Sequence, residues 1–278
     1  MREFRRKKWR TEKAERNAHT SWEVLGMRFQ KGCIEINTIK DVPLLRQVLH
    51  CQLVTHEQLW RFMRLGLYEF QRSSFNWRLR RLVESGLLER RSKLPYTEHY
   101  VYSMANPGAD VLISHGEWFP MSIEENGRKH RVSVAHALGL NDLQLSLIRA
   151  RVLDTWKPEP MIRFENQYLA NPHAKDYDAI VTVRIDDRES VFNLEYERTA
   201  KRYRDYADIR DLLEQVPSLD PVLYVVPNLE LLRVLRHAFH RTSAPVHVCL
   251  AGDFTDSFMD MRVTDASSGV IRSVAAIL

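Results

Sequence analysis

Residues 221–227 read PVLYVVP, an apolar run closed by proline at both ends. The run is too short for a stable helix, and a strand with no polar position has no face to give to water. Such a strand belongs inside a sheet that is covered on both sides. The chain must therefore supply helices for two faces. With 278 residues, 44% of them hydrophobic, it can do so. The segments that follow fit: NLELLRVLRHAFHR (228–241) has a helical period, and VHVCLAG (246–252) is another apolar strand.

Upstream, residues 132–156 carry apolar side chains at 134, 138, 145, 148 and 152, close to a helical repeat that Pro158 and Pro160 end. Three strand-like segments follow: MIRFENQYL (161–169), YDAIVTVRID (177–186) and SVFNLEYE (190–197). Residues 198–216 then read as a helix. The order from 132 is α-β-β-β-α-β-α-β, a mixed sheet with helices on its faces.

The first half has a different rhythm. Residues 41–54 carry apolar side chains at 44, 45, 48 and 49, the stripe of a short buried helix. Thr55 with Gln58 three residues later predicts a capping box and a second helix. A third helix is expected from Ser73 or Ser74, with Phe75, Leu79 and Leu82 inward and Gly86 as its stop. Residues 87–104 read as two strands joined near Lys93–Thr97, and 106–116 as a closing helix. A short strand is expected around Cys33–Ile36. Three helices followed by a β-hairpin is the order of a winged helix-turn-helix. If the third helix buries 75, 79 and 82, its outer face carries Asn76, Trp77, Arg78, Arg80 and Arg81, residue types that read guanine and adenine edges in the major groove. Arg90, Arg91 and Lys93 would then sit at the wing against phosphates.

Charge supports a nucleic-acid partner. Residues 1–20 hold eight Lys or Arg and three Asp or Glu, which accounts for the whole net charge of +5. The segment reads as a basic arm on a neutral body, suited to double-stranded DNA or to solvent. A second basic concentration, nine Lys or Arg against three Glu, covers residues 61–93. Cys33, Cys51 and Cys249 lie far apart and read as reduced thiols. No apolar run is long enough for a membrane span and no leader-like apolar core opens the chain, so a cytoplasmic location is expected.

The chemistry concentrates at FNLEYERTAKRYRDY (192–206). Glu195 and Glu197, two apart on a strand, face one way. Asp178 opens the neighbouring strand and joins them if the two strands pair. Converging carboxylates repel one another unless a cation lies between them, and Mg2+ or Mn2+ suits oxygen ligands and phosphodiester hydrolysis. Lys201, Arg198 or Arg202 could add a positive charge. The competing reading is a structural ion network around Glu195 and Glu197. His237 and His240, three apart with no further ligand at a zinc spacing, read as a surface pair. Tyr203 and Tyr206 read as packing before nucleophiles, and His136 and Asn141 as hydrogen-bonding links between helix and sheet.

The acidic pattern resembles the nuclease superfamily whose signature is Pro-Asp, a spacer, then Asp/Glu-x-Lys, with an αβββαβ core. Here Tyr177 stands before Asp178, and Glu197 occupies the Lys position, with Lys201 as its candidate substitute. A wider resemblance is to the replication-relaxation family of bacterial mobile elements. It rests on Thr55, Gln58, Leu59 and Arg61; Arg78, Leu79, Arg80, Arg81 and Leu82; Gly86 and Leu87; Tyr100 and Tyr102; and Gly108 and Ala109. It continues through His136, Leu138, Asn141 and Asp142; Asp178 and Ala179; and Glu195, Glu197 and Thr199. The resemblance implies plasmid replication and DNA relaxation, and some related relaxases nick DNA with carboxylates and a metal.

The expected fold class is α+β: a basic arm (1–38), a winged-helix DNA-binding domain (39–118), a linker (119–131) and a nuclease-like α/β domain (132–278). The favoured function is a site-specific, metal-dependent DNA endonuclease or nickase. Its catalytic residues would be Asp178, Glu195, Glu197 and Lys201, with the three carboxylates as metal ligands. The alternatives are a non-catalytic DNA-binding regulator or accessory factor, and a protein-interaction module. A homodimer and partner proteins of a mobile-element complex stay open.

Overall fold

The computed structural model describes residues 34–91, 99–117, 119, 133–169 and 173–278. Residues 1–33 of the basic arm, the turn at Lys93 and most of the expected linker lie outside the described residues.

The N-terminal unit runs α1 (Asp41–Cys51), β1 (Val54–Thr55), α2 (His56–Leu65), α3 (Arg72–Glu84), β2 (Leu88–Arg91), β3 (Val101–Met104) and α4 (Asn106–Ser114). Its three strands form an antiparallel sheet in the order β1-β3-β2. The expected capping box is present: Gln58 N donates to Thr55 Oγ1 at 3.2 Å, and Thr55 N donates to Gln58 Oε1 at 3.3 Å. Gly86, at φ 77°, ends α3 in a Schellman motif. Its N–H donates to Val83 O, and Leu87 N to Leu82 O, each at 3.0 Å. Helix α3 begins one residue before Ser73, after Gln71, with no side-chain cap. Residues 34–37 form no strand, so the strand expected near 33–36 is absent where it is described. Leu44, Leu45, Val48, Leu59, Phe75, Leu79 and Leu82 meet in one core.

The second part is α5 (Val134–Ala150), β4 (Leu153–Pro158), α6 (Glu159–Tyr168), β5 (Ala179–Ile185), β6 (Arg188–Tyr196), α7 (Tyr203–Glu214), β7 (Val222–Val226), α8 (Leu229–Ala238), β8 (Val246–Leu250), α9 (Ala251–Ser257), β9 (Arg262–Asp265) and β10 (Ile271–Ser273). Its seven-stranded sheet has the order β10-β9-β8-β7-β6-β5-β4. The centre, β6-β7-β8, is parallel, and the remaining pairs are antiparallel. The fold is thus α+β with a mixed sheet.

All five residues of β7 are buried, as the opening run requires. Leu223 and Val225 pack on one face with α5 and α9, through Leu143, Leu147 and Phe254. Val222, Tyr224 and Val226 pack on the other with α6, α7 and α8, through Ile162, Tyr206, Leu213, Leu231 and Leu235. Burying each such aliphatic side chain stabilises the fold by about 1.5–3 kcal/mol.

Two assignments change. Residues 161–169 are mostly helix α6, and the sheet's outer strand is 153–158, taken in sequence for the end of α5. Helix α5 stops at Arg151, which turns left-handed at φ 62°. Helix α7 starts at Tyr203, so Lys201 lies in the loop before it. Among the described residues no helix is long and apolar enough to cross a membrane.

Candidate functional site

Two places collect the residues that the sequence singles out. The first is the surface of α3. Asn76, Trp77 and Arg80 are exposed. Arg78 and Arg81 are not: each is 8% exposed. The expected outer face is corrected accordingly. Arg78 Nη1 donates to Asp41 Oδ1 and its Nε to Glu69 Oε1, both at 2.6 Å. Arg81 pairs with the other oxygen of Asp41 and donates to Glu35 O at 3.2 Å. Asp41 and Glu69 are 0% and 1% exposed, so these arginines neutralise buried carboxylates and tie α1 to α3. The Arg81 guanidinium also lies 5.2 Å from the Trp77 ring centre. Arg90 and Arg91 are exposed on β2. Arg90 sits 4.6 Å over Tyr100, and Arg91 pairs with Glu89 at 3.0 Å. Lys93 lies outside the described residues.

The second place is the end of the central sheet. Strands β5 and β6 pair in the register Ala179–Leu194, so Asp178 and Glu195 stand one step beyond that pair, opposite each other. Alternation along β6 sends Phe192 and Leu194 to one face and Glu195 to the face of Tyr224, its register partner on β7. Glu197 N continues the ladder by donating to Val225 O at 3.0 Å. Asp178 Oδ2 accepts from the Tyr196 amide at 2.7 Å, and His136 Nε2 lies 3.0 Å from Asp178 Oδ1.

Glu195 and Glu197 are 5% and 7% exposed. Lys175 pairs with Glu195, and Lys201 with Glu197. Burial pushes the Glu195 carboxyl up to about 7; Lys175 opposes this, and the Asp178 charge adds to it. Burial acts on Asp178 in the same sense but is outweighed by His136 and the Tyr196 amide, so Asp178 stays below the usual carboxylate range. For Lys201, burial disfavours the charge, yet Glu197 and Glu195 hold it above the ordinary lysine value.

The convergence of all three carboxylates does not occur. Among the described residues no three His, Cys, Asp or Glu side chains gather as a metal-binding group, and Glu197 turns to Lys201. Asp178 and Glu195 remain as two facing oxygen donors beside two lysines. The buried hydroxyls of Tyr177 and Tyr224 have no hydrogen-bond partner among the described residues, and both phenols feel the Glu195 charge. Two carboxylates are the kind of oxygen donor that a hard divalent cation takes, and here His136 and the Tyr196 amide hold Asp178 while Lys175 holds Glu195.

Lys175 is absent from the sequence-based site. Its signal in the sequence is faint: a lysine three residues before Asp178, in a polar stretch, on the opposite side of Glu195 from the Asp/Glu-x-Lys lysine. Tyr206 accepts from Lys201 N at 3.0 Å and is 1% exposed, a packing residue. Tyr203 is exposed, 6.3 Å ring to ring from His237, and His237 stacks on His240 at 5.6 Å. His136 does link helix to sheet, through Asp178. Asn141 instead donates to Leu53 O at 2.8 Å, toward the N-terminal unit.

Comparison with known proteins gives one sequence family. A profile described as replication-relaxation matches residues 45–213, a span that contains both places. No curated protein matches. Among solved structures, the chain is similar to the restriction endonuclease FokI bound to DNA, at 10% identity and a TM-score of 0.24. That similarity covers 77% of this chain and 43% of the endonuclease, so this chain spans less than half of the length of that protein.

Proposed function

Since the chain belongs to the replication-relaxation family, we propose that it is a DNA-binding protein of mobile-element replication whose α/β part nicks or cuts the DNA its N-terminal unit selects. One observation carries the reading: Asp178 and Glu195 face each other at the end of paired strands, with Lys175 and Lys201 beside them. The element order α5-β4-β5-β6-α7-β7, with α6 inserted, supports the nuclease resemblance drawn from the acidic pattern.

In this reading the first unit is a winged helix. Helix α3 presents Asn76, Trp77 and Arg80 to the major groove, and Arg90, Arg91 and Lys93 meet phosphates. Magnesium or manganese held by Asp178 and Glu195 would supply Lewis-acid charge to the phosphodiester. His136 and the Tyr196 amide orient Asp178. Glu197 holds Lys201, whose ammonium, on a side chain 39% exposed, is available to negative charge developing on the phosphate.

The test uses supercoiled plasmid carrying the bound site, with and without manganese. Wild type should convert it to the nicked or linear form only with metal. Glu195→Gln should lose activity by about 100-fold or more and still bind DNA. Equal cleavage by both proteins, or cleavage by wild type without metal, would eliminate the carboxylate-metal mechanism.

A second reading, a non-catalytic DNA-binding factor on a nuclease-like scaffold, is favoured by the pairing of each glutamate with its own lysine. Absence of cleavage by wild type on a site it binds would select it.

A further inference from the structure

Helix α5 touches both parts of the proposed machine. His136, in its first turn, holds Asp178. About 7.5 Å further along the axis, Asn141 Nδ2 donates to Leu53 O at 2.8 Å and lies 3.3 Å from Gln58 Oε1. Gln58 Nε2 donates to both Leu138 O and Asp142 Oδ1 at 2.8 Å. Gln58 and Asn141 are 7% and 3% exposed. Gln58 belongs to the first turn of α2, the helix before the one that carries Asn76, Trp77 and Arg80. Leu145, lower on α5, enters the core of the N-terminal unit, while its neighbours Leu143 and Leu147 enter the core of the sheet. Apolar contacts alone would tolerate a small rotation between the parts. Buried, mutually satisfied hydrogen bonds do not, because they are directional and costly to leave unmade.

We propose that Gln58, Asn141 and Asp142 are specificity-determining residues: they lock the recognition unit to the sheet and so fix the distance along DNA between the bases recognised and the phosphodiester attacked. The proposal rests on the nuclease reading. No base contact is involved. The lock acts by position: successive phosphates of one strand lie about 3.4 Å apart along the duplex axis, so a swing of that size between the two parts brings a neighbouring phosphodiester to the site.

Gln58→Glu separates this role from folding. The new carboxylate still accepts from the Thr55 amide, so the capping box survives. It offers no donor to Leu138 O, and it faces Asp142 with like charge. The probe is a duplex selected by the full-length wild-type chain from a random-sequence library. Wild type should nick at one fixed distance from its footprint. Gln58→Glu should keep the footprint and total nicking within about twofold, while its nicks spread over several neighbouring phosphodiesters. Adding Asp142→Asn restores a donor opposite the new carboxylate and should narrow the spread again. A pattern as sharp in Gln58→Glu as in wild type overturns the proposal. If Gln58→Glu loses the footprint, Asn141→Ser takes its place, with the same two outcomes.

If wild type binds but does not nick, the nuclease reading has failed. The lock is then judged by the distance between spin labels on the exposed positions Asp110 and Glu230. A broader distribution in Gln58→Glu supports the lock, and an unchanged width overturns it.

Discussion

Arg78 and Arg80 are two residues apart on one helix and answer to different forces. Arg78 sits between Asp41 and Glu69, and removing it takes a charged hydrogen bond from each of two buried carboxylates, leaving Asp41 to Arg81 and Glu69 to Lys40 at 3.6 Å. Arg78→Ala should destabilise the fold by about 1.5–3 kcal/mol for each charged hydrogen bond lost, read as a clear fall in the urea or thermal midpoint. Arg80 is exposed, with a long contact of 3.8 Å to Glu84. Arg80→Ala should change stability by less than about 0.5 kcal/mol and weaken DNA binding by about 1–3 kcal/mol. The reverse pattern, with Arg78→Ala stable and weak in binding, would show that Arg78 leaves its carboxylates to meet DNA. Sequence held a hint of this difference. Position 78 is three after Phe75 and four before Leu82, which puts it on the inward stripe. Charge pulled the reading outward, because arginine is rarely buried without partners. The partners, Asp41 and Glu69, lie 37 and 9 residues away, beyond any local pattern. Asp178 and Glu195 were legible for the opposite reason: a strand's twofold alternation fixes the face, and one hairpin fixes the pairing.

At the scale of elements, strongly periodic segments could be read and ambiguous ones could not. Helix α2 with its capping box and strand β7 with its continuous apolar run stand where their patterns put them. Residues 153–169 do not. Pro158 and Pro160 read as the end of one helix, whereas Pro160 lies in the first turn of another, where proline costs no hydrogen bond. Strand β4 pairs on one edge only, and its half-exposed pattern has no clean alternation. The approach of α5 to β6 was also invisible. It depends on Gly139, where a Cβ would stand 2.1 Å from Cε1 of Tyr196. Gly139→Ala must therefore push the Tyr196 ring, which lies 5.6 Å from the His136 ring and whose backbone amide binds Asp178. A loss of about 1–3 kcal/mol in stability is expected, together with reduced cleavage. An unchanged thermal midpoint would show that the ring yields freely.

For the whole molecule, charge is distributed by segment. Residues 1–20 carry the entire net charge of +5, and the remaining chain is balanced. Deleting them should flatten the dependence of DNA affinity on salt, since fewer counterions are released, while sequence preference stays. Binding measured at several salt concentrations on cognate and scrambled duplexes tests this. An unchanged salt slope with lost preference would mean that these residues read bases.

The double membership of α5 has a consequence for how such chains diversify. Leu145 completes one core, and Leu143 and Leu147 complete the other. Recombination that exchanged only residues 41–114 would pair a foreign unit with a helix shaped for the old one, at Leu145, Asn141 and Asp142 alike. A viable exchange has to carry the helix along, or change those three positions with it. If the N-terminal unit selects DNA as proposed, the smallest heritable parcel of that preference is longer than the unit itself, and its seam falls at the left-handed turn of Arg151.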